Sequence, residues 1–248
     1  MSQGWHQIGS TVAGGVLLIG DHASNRVPSD INLGIDEGLL ATHIALDIGV
    51  HEVAQLLVKS GAVDAAILGG VSRLVVDCNR DEHAPGIIPI ASDGHAIPGN
   101  ALSHEAHKAR LDRYYHPYHR QIGAHIAAAR PAMILSLHSF TPSLASADEP
   151  RPWDIGILYN DDDRLARVAI PAFAVLGLTV GDQLPYSGKL LNYTMNRHAE
   201  AAGIPYLGIE MRQDRAADAT GQARFADMIG QIVTQCRHIL AQPSNQGQ

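Results

Sequence analysis

The sequence predicts an α/β fold, a mostly parallel or mixed central sheet flanked by helices. Two observations carry that reading. Short apolar runs, many of them β-branched, fall at about 15–20, 63–69, 72–77, 133–138, 154–159, 176–180 and 205–210; their length and composition suit buried strands. Helical patterns lie between several of them, and such alternation marks a sheet wound with crossover helices. A third observation concerns function. Three runs end in residues capable of zinc chemistry: Asp21-His22, His138-Ser139 and Glu210-Met211-Arg212. A fourth, Leu74-Val75-Val76, ends in Asp77-Cys78-Asn79-Arg80. Open α/β sheets bind ligands at the carboxyl ends of their strands, so the four endings predict one site built from distant segments.

The elements follow in order. After the first strand, Asp36 can cap a segment containing Leu39, Leu40 and Ile44. A helix starting at about Asp47 carries Val50, Val53, Ala54, Leu57 and Val58 and stops at Lys59-Ser60-Gly61, where glycine can take a left-handed cap. Two strands, 63–69 and 72–77, lead into an irregular segment from Asp81 to Asn100. Ser103 caps a long helix with Ala106, Tyr114, Tyr118, Ile122 and Ile126 on one side, which Pro117 should kink or divide. Strand 133–138 opens a second irregular segment, Ser139 to Trp153. Asp161 or Asp162 starts a helix through Ala174, and a last helix runs from about Phe225 to Leu240. Pro243 to Gln248 reads as a disordered tail. Both long irregular segments begin directly after a candidate site residue, which favours binding walls or lids.

Bulk properties narrow the function classes. A chain of 248 residues, 46% hydrophobic and 17% charged, can bury a large core and is expected to form a single domain, 1–248. A formal net charge of −7 argues against a general nucleic-acid binder, which needs a basic surface to displace counterions. No apolar stretch is long enough to span a bilayer, and the start lacks the pattern of a signal peptide. Two cysteines, Cys78 and Cys236, are too few for a disulfide framework or a cysteine zinc site. The expected setting is cytoplasmic. Fourteen histidines against 18 Lys and Arg point toward metal binding.

The candidate site residues each admit two readings. His22 and His138 follow strands and suit zinc ligation, with Asp21 or a backbone carbonyl fixing the His22 tautomer; alternatively they satisfy turn hydrogen bonds. Hydrolytic zinc usually takes three protein ligands and leaves a position open for water. Asp47, in an otherwise apolar context, is the candidate third ligand, or else the cap of the helix after it; Asp21 is the other candidate. Glu210 suits a general base beside an activated water, or a structural pair with Arg212. Asn79 and Arg80 suit a carboxylate clamp, to which Arg212 could add, whereas a surface salt bridge is the plainer reading of Arg80. His119 shares a helix with His116 three residues away and is a candidate catalytic residue, supporting the site from behind or, like Tyr186, holding the oxyanion of an acyl intermediate. Tyr186 and Ser187 offer hydroxyls to a substrate, or simply form a Pro/Gly turn. No Gly-x-Ser-x-Gly elbow, Walker A loop or dinucleotide fingerprint occurs.

Taken together, these segments resemble the N-formylglutamate amidohydrolase family. The matching stretches are Asp21-His22-Ala23-Ser24-Asn25-Arg26-Val27-Pro28, Ala45-Leu46-Asp47-Ile48-Gly49, Ser72-Arg73 through Asn79-Arg80, Tyr115-His116-Pro117-Tyr118-His119, Ser136-Leu137-His138-Ser139-Phe140, Pro185-Tyr186-Ser187-Gly188 and Ile209 through Asp214. The resemblance implies a phosphorylase/hydrolase-like fold akin to zinc carboxypeptidases and aspartoacylases, with one zinc ion. It maps His22 and His138 onto the metal histidines, Glu210 onto the base and Asn79-Arg80 onto the carboxylate clamp. Where those relatives carry a glutamate three residues after the first histidine, this chain has Asn25, a poor zinc ligand; Asp47 is invoked in its place. The implied substrate is a small N-acyl amino acid, N-formyl-L-glutamate first. Another N-acylated or cell-wall-derived substrate, or a catalytically silent anion binder, is the alternative.

Overall fold

The protein is described by a computed structural model over residues 4–146 and 150–242; the expected tail 243–248 lies outside the described residues. In chain order the strands are β1 (Trp5–Gly9), β2 (Val16–Gly20), β3 (Ala65–Gly69), β4 (Ala91–Ser92), β5 (His95–Ala96), β6 (Met133–Phe140), β7 (Ile155–Leu158), β8 (Val180–Asp182) and β9 (Tyr206–Arg212). Seven of them form one mixed sheet in the order β1-β3-β2-β6-β9-β7-β8; β4 and β5 pair separately as a hairpin. The β3, β2, β6 and β9 neighbours run parallel, while β1 and β7 join antiparallel to β3 and β9.

The central strands β2, β3 and β6 are buried along their whole length because both faces of the sheet are covered. Successive side chains alternate between faces. Val16 and Leu18 of β2 pack toward the helices α1 (Val50–Ser60), α4 (Ala166–Val175) and α7 (Ala219–Ala241). Leu17 and Ile19 pack toward the opposite layer, with Tyr114, Tyr118 and Ile122. That layer is one helical run: α2 (His104–Arg110), a π-helical stretch (Leu111–Tyr115) and α3 (His116–Ala129). Burying each large apolar side chain contributes on the order of 1.5–3 kcal/mol, so a two-sided core is the main source of stability. Two short helices, α5 (Gly188–Leu191) and α6 (Tyr193–His198), follow β8. Among the described residues no helix is long and apolar enough to cross a membrane.

Several expectations shift. The run 72–77 is a turn rather than a strand. Ser72 Oγ donates to Ala45 O and accepts Leu74 N, and Val75 N returns to Ser72 O. Leu74, Val75 and Val76 are apolar because the turn is buried. Pro117 falls in the first turn of α3, directly after the π-helical stretch that separates α2 from α3, so the run is divided there and the missing N–H is accommodated. Helix α1 begins at Val50 with Gly49, not Asp47, at its cap, so Asp47 is released from that duty. Strand β8 begins at Val180, later than 176; α4 begins at Ala166, later than Asp162; α7 begins earlier, at Ala219 behind the Asp218 cap. The segment 81–100 holds the β4–β5 hairpin, whose Asp93-Gly94 turn has positive φ at both residues, +41° and +83°.

The chain leaves β2 for β3 on one side and reaches β6 on the other. The carboxyl ends of β2 and β6 therefore flank a point where the winding reverses, the place where such sheets bind ligands.

Candidate active site

Asp21 and His22 follow β2, His138 lies within β6, and Glu210 lies within β9 directly opposite His138. Asp47 arrives from the loop before α1, and its backbone N–H donates to His22 O at 2.9 Å. His22, Asp47, His138 and Glu210 line one cavity of about 430 Å³.

One ligand atom from each of His22, Asp47 and His138 falls within 4.8 Å of the others, and all three residues are buried. The Nδ1 atoms of His22 and His138 lie 3.3 and 2.9 Å from the same oxygen, Asp47 Oδ2. Tetrahedral ligands at 2.0–2.1 Å from zinc stand about 3.3 Å apart, so the spacing suits such an ion. The far nitrogens face carboxylates: His22 Nε2 is 2.8 Å from Asp77 Oδ1, and His138 Nε2 is 3.3 Å from Asp21 Oδ2. The second contact is at ion-pair distance but misaligned for a hydrogen bond, leaving both of its atoms without one. Each ring thus has an aspartate at its back and Nδ1 toward the third ligand; for His22 the hydrogen bond to Asp77 is of the kind that fixes the tautomer of a metal-binding imidazole.

The charges agree. Burial alone would lower the pKa of both imidazoles, yet both are raised, His22 by Asp77 and Asp47, and His138 by Asp21 and Asp47. Burial pushes the Asp47 carboxyl up, but His22, His138 and Arg73 hold it well below the usual carboxylate range. This concentration of aspartate charge makes the rings retain protons that a bound divalent ion would displace. The donor set therefore fits a zinc-like ion.

Glu210 differs. Burial raises its carboxyl to about 7, and Oε2 is buried with no hydrogen-bond partner. A carboxyl in that state can exchange a proton near neutrality.

Other residues behave less uniformly. Arg80 lines the cavity, with Nε donating to Asp77 Oδ2 at 3.1 Å and a side chain 43% exposed. Asn79 sits at the cavity edge, but its side chain braces α5 and α6, accepting Thr194 N at 2.9 Å and donating to Leu191 O at 3.4 Å. Tyr186 lines the cavity and accepts a hydrogen bond from Arg151 at 2.9 Å; Ser187 does not line it. Arg212 points away to Asp214 at 2.8 Å, and so pairs with neither Glu210 nor the cavity. His119 is also outside. Its Nε2 lies 3.1 Å from Cys78 O and its Nδ1 3.0 Å from His198 Nε2, and burial lowers its pKa to about 3. Asp21 backs His138 and not His22.

Sequence reading missed Arg73 and the role of Asp77. Arg73 spans two carboxylates, Asp47 Oδ1 at 3.1 Å and Asp77 Oδ2 at 3.2 Å. The available signal was their spacing: four residues apart, a separation one turn brings together, directly before Asn79-Arg80. The strand assignment to 72–77 concealed it. Lys189 and Tyr193 also line the cavity and carried no signal.

A family model described as N-formylglutamate amidohydrolase matches residues 14–216. A gene product from Agrobacterium tumefaciens of known structure is 30% identical, covers 97% of each chain and superposes with a TM-score of 0.90. The N-formylglutamate amidohydrolase from Ralstonia eutropha JMP134 shares the fold at 18% identity, over 96% of this chain and 98% of that one, with a TM-score of 0.71. No curated protein matches the chain.

Proposed function

The chain belongs to the N-formylglutamate amidohydrolase family and is a hydrolase of amide bonds, and from that premise we propose that it cleaves the acyl amide of a small acidic N-acyl amino acid. N-formyl-L-glutamate is the first choice, with formate and glutamate as products. The observation that carries this reading is the buried, unpartnered Glu210 Oε2 in the same cavity as the three-ligand cluster.

His22, His138 and Asp47 would hold one zinc ion. When bound, such an ion supplies Lewis-acid chemistry, drawing electron density from an acyl oxygen and easing loss of a proton from water. The remaining steps belong to the chain. Arg80 anchors a substrate carboxylate with the terminal nitrogens that Asp77 leaves free, and Lys189 at the same cavity suits a second. Glu210 accepts the proton of the water that adds to the acyl carbon. As the C–N bond breaks, Glu210 returns that proton to the departing nitrogen. Its raised pKa matches both transfers. Arg73, fixed to Asp47 and Asp77, keeps the ligand carboxylate in place. Tyr186 closes the wall beside Glu210 and can donate to the substrate's acyl oxygen.

The test is glutamate release from N-formyl-L-glutamate by protein that is untreated, chelated, and chelated then resupplied with zinc. Release that chelation abolishes and zinc restores supports the reading. Turnover that persists in protein shown by elemental analysis to be metal-free would overturn the metal assignment. Absence of release under every condition would overturn the substrate.

A further inference from the structure

The cavity at Glu210 does not end at the arginines. A second cavity of about 350 Å³ shares Arg73, Asp77, Arg80 and Tyr186 with it, so those four side chains form a partition with space on both sides. The far wall of the second chamber is made by His43, Ser92, Asp93 and Ser146. It is a built wall. The Asp93 carboxylate, whose side chain is 8% exposed, accepts Ala145 N at 3.1 Å and Ser146 N at 3.0 Å and pairs with His43 at 3.0 Å. One aspartate at the hairpin tip thereby fastens the 141–146 loop and the segment at 43 into a single surface.

The chemistry of this chamber differs from that of the first. Its lining carries two arginines, both on Asp77, and two aspartates, Asp77 and Asp93, so the formal charges balance with His43 neutral while donors and acceptors stand on facing sides. Such a lining suits an uncharged polar group with both functions, as a peptide unit has, and disfavours a bare ion. Gly86 flanks the Arg80 guanidinium; a Cβ there would lie in van der Waals contact with it at 3.5 Å, so the glycine leaves that part of the guanidinium uncovered on the chamber side. A substrate can therefore lie across the partition with one carboxylate on Arg80 and a further unit beyond it.

Resting on the amidohydrolase reading above, we propose that the second chamber is a subsite for a peptide unit attached through a carboxyl of the acylated amino acid, so that N-acyl-glutamyl peptides are better substrates than free N-acyl-glutamate. The bond cleaved is unchanged: water adds across the acyl C–N bond, and the amine product carries the extension.

The experiment compares kcat/KM for N-formyl-L-glutamate with that for N-formyl-L-glutamate extended by glycine through its α- or its γ-carboxyl. It uses the unaltered protein, Ala91→Trp and Ser146→Trp, two exposed positions that line only the second chamber. At least one extended substrate should exceed N-formyl-L-glutamate by about tenfold or more, the scale at which a filled subsite discriminates. Each tryptophan should remove that advantage and leave N-formyl-L-glutamate turnover unchanged. Extended substrates no better than the short one, or an advantage that survives both tryptophans, would overturn the subsite. Calorimetric binding of the two glutamyl-glycine isomers and of glutamate to Glu210→Gln, with and without Ala91→Trp, separates the two readings. Tighter binding of an isomer that Ala91→Trp abolishes, without turnover of any formyl compound, overturns the acyl assignment and keeps the subsite. Turnover of N-formyl-L-glutamate with equal binding of all three ligands keeps the acyl assignment and sinks the subsite.

Discussion

His138 and Glu210 occupy paired positions on the neighbouring parallel strands β6 and β9, which fixes the candidate base beside a candidate metal ligand through backbone register. Paired residues on adjacent strands share a face, so no loop motion can part them. Replacing Glu210 by Gln keeps the shape and removes the exchangeable proton. Turnover should fall about a hundred- to ten-thousandfold while metal content by elemental analysis stays unchanged. In the unaltered protein, activity should decline as the medium is acidified and Glu210 takes up its proton. Burial sets that carboxyl at about 7, and a nearby cation favours the ionised form, so the acid limb should lie at or below pH 7. An acid limb that persists unaltered in residual Glu210→Gln activity would assign it to another group.

Gly156 faces Glu210 from the antiparallel strand β7. A Cβ there would stand 2.3 Å from Leu184 O and 3.3 Å from Glu210 Cβ. Gly156→Ala should therefore displace the segment that carries Tyr186 toward the cavity, costing about 1–3 kcal/mol in denaturant unfolding. It should also lower kcat/KM. A variant of normal stability and activity would mean that β7 yields more readily than its pairing implies.

Asp21 orients His138 and is itself oriented. Tyr118 OH and Thr194 Oγ1 donate to its Oδ1 at 2.9 and 2.7 Å, which turns Oδ2 toward the imidazole. Thr194→Val should weaken zinc affinity about tenfold, and Asp21→Asn by up to about a hundredfold, in competition with a chromogenic chelator. Affinity unchanged in both would remove Asp21 from any orienting role.

Much of this was legible in the sequence, for reasons that differ by residue. The strands β2, β6 and β9 announce themselves because each is an apolar run, buried on both faces, that leads into a polar residue no core tolerates unpaired. His22, His138 and Glu210 follow from that. Asp47 was readable as an anomalous charge among Ile44, Ala45, Leu46 and Ile48, but only the fold shows Gly49 at the helix cap and the carboxylate turned inward. Asp77 and Arg73 were hidden because a buried turn and a buried strand share one composition. Arg212 and His119 misled in the opposite way. Their identity suited the chemistry, but strand register and helix phase point them at Asp214 and His198.

The His119–His198 pair gives the fold an acid sensitivity of its own. Burial lowers these imidazoles to about 3 and about 4, against about 6.5 when the chain is unfolded. Between roughly pH 6.5 and pH 3 the unfolded chain binds protons that the folded chain refuses, so stability falls as pH falls through that window. His119→Gln should flatten the dependence of unfolding free energy on pH between 7 and 5 in metal-free protein. An unchanged slope would place the acid sensitivity elsewhere.

Asp77 carries His22 on one oxygen and Arg80 on the other. A candidate substrate-facing arginine and a candidate ion ligand thus hang on one carboxylate, so a substitution that retunes Arg80 is expected to disturb His22 as well. Divergence of this scaffold toward new substrates is constrained accordingly. Lys189 lines the same cavity and makes no contact with that carboxylate, so a change there should leave the His22–Asp77–Arg80 chain in place.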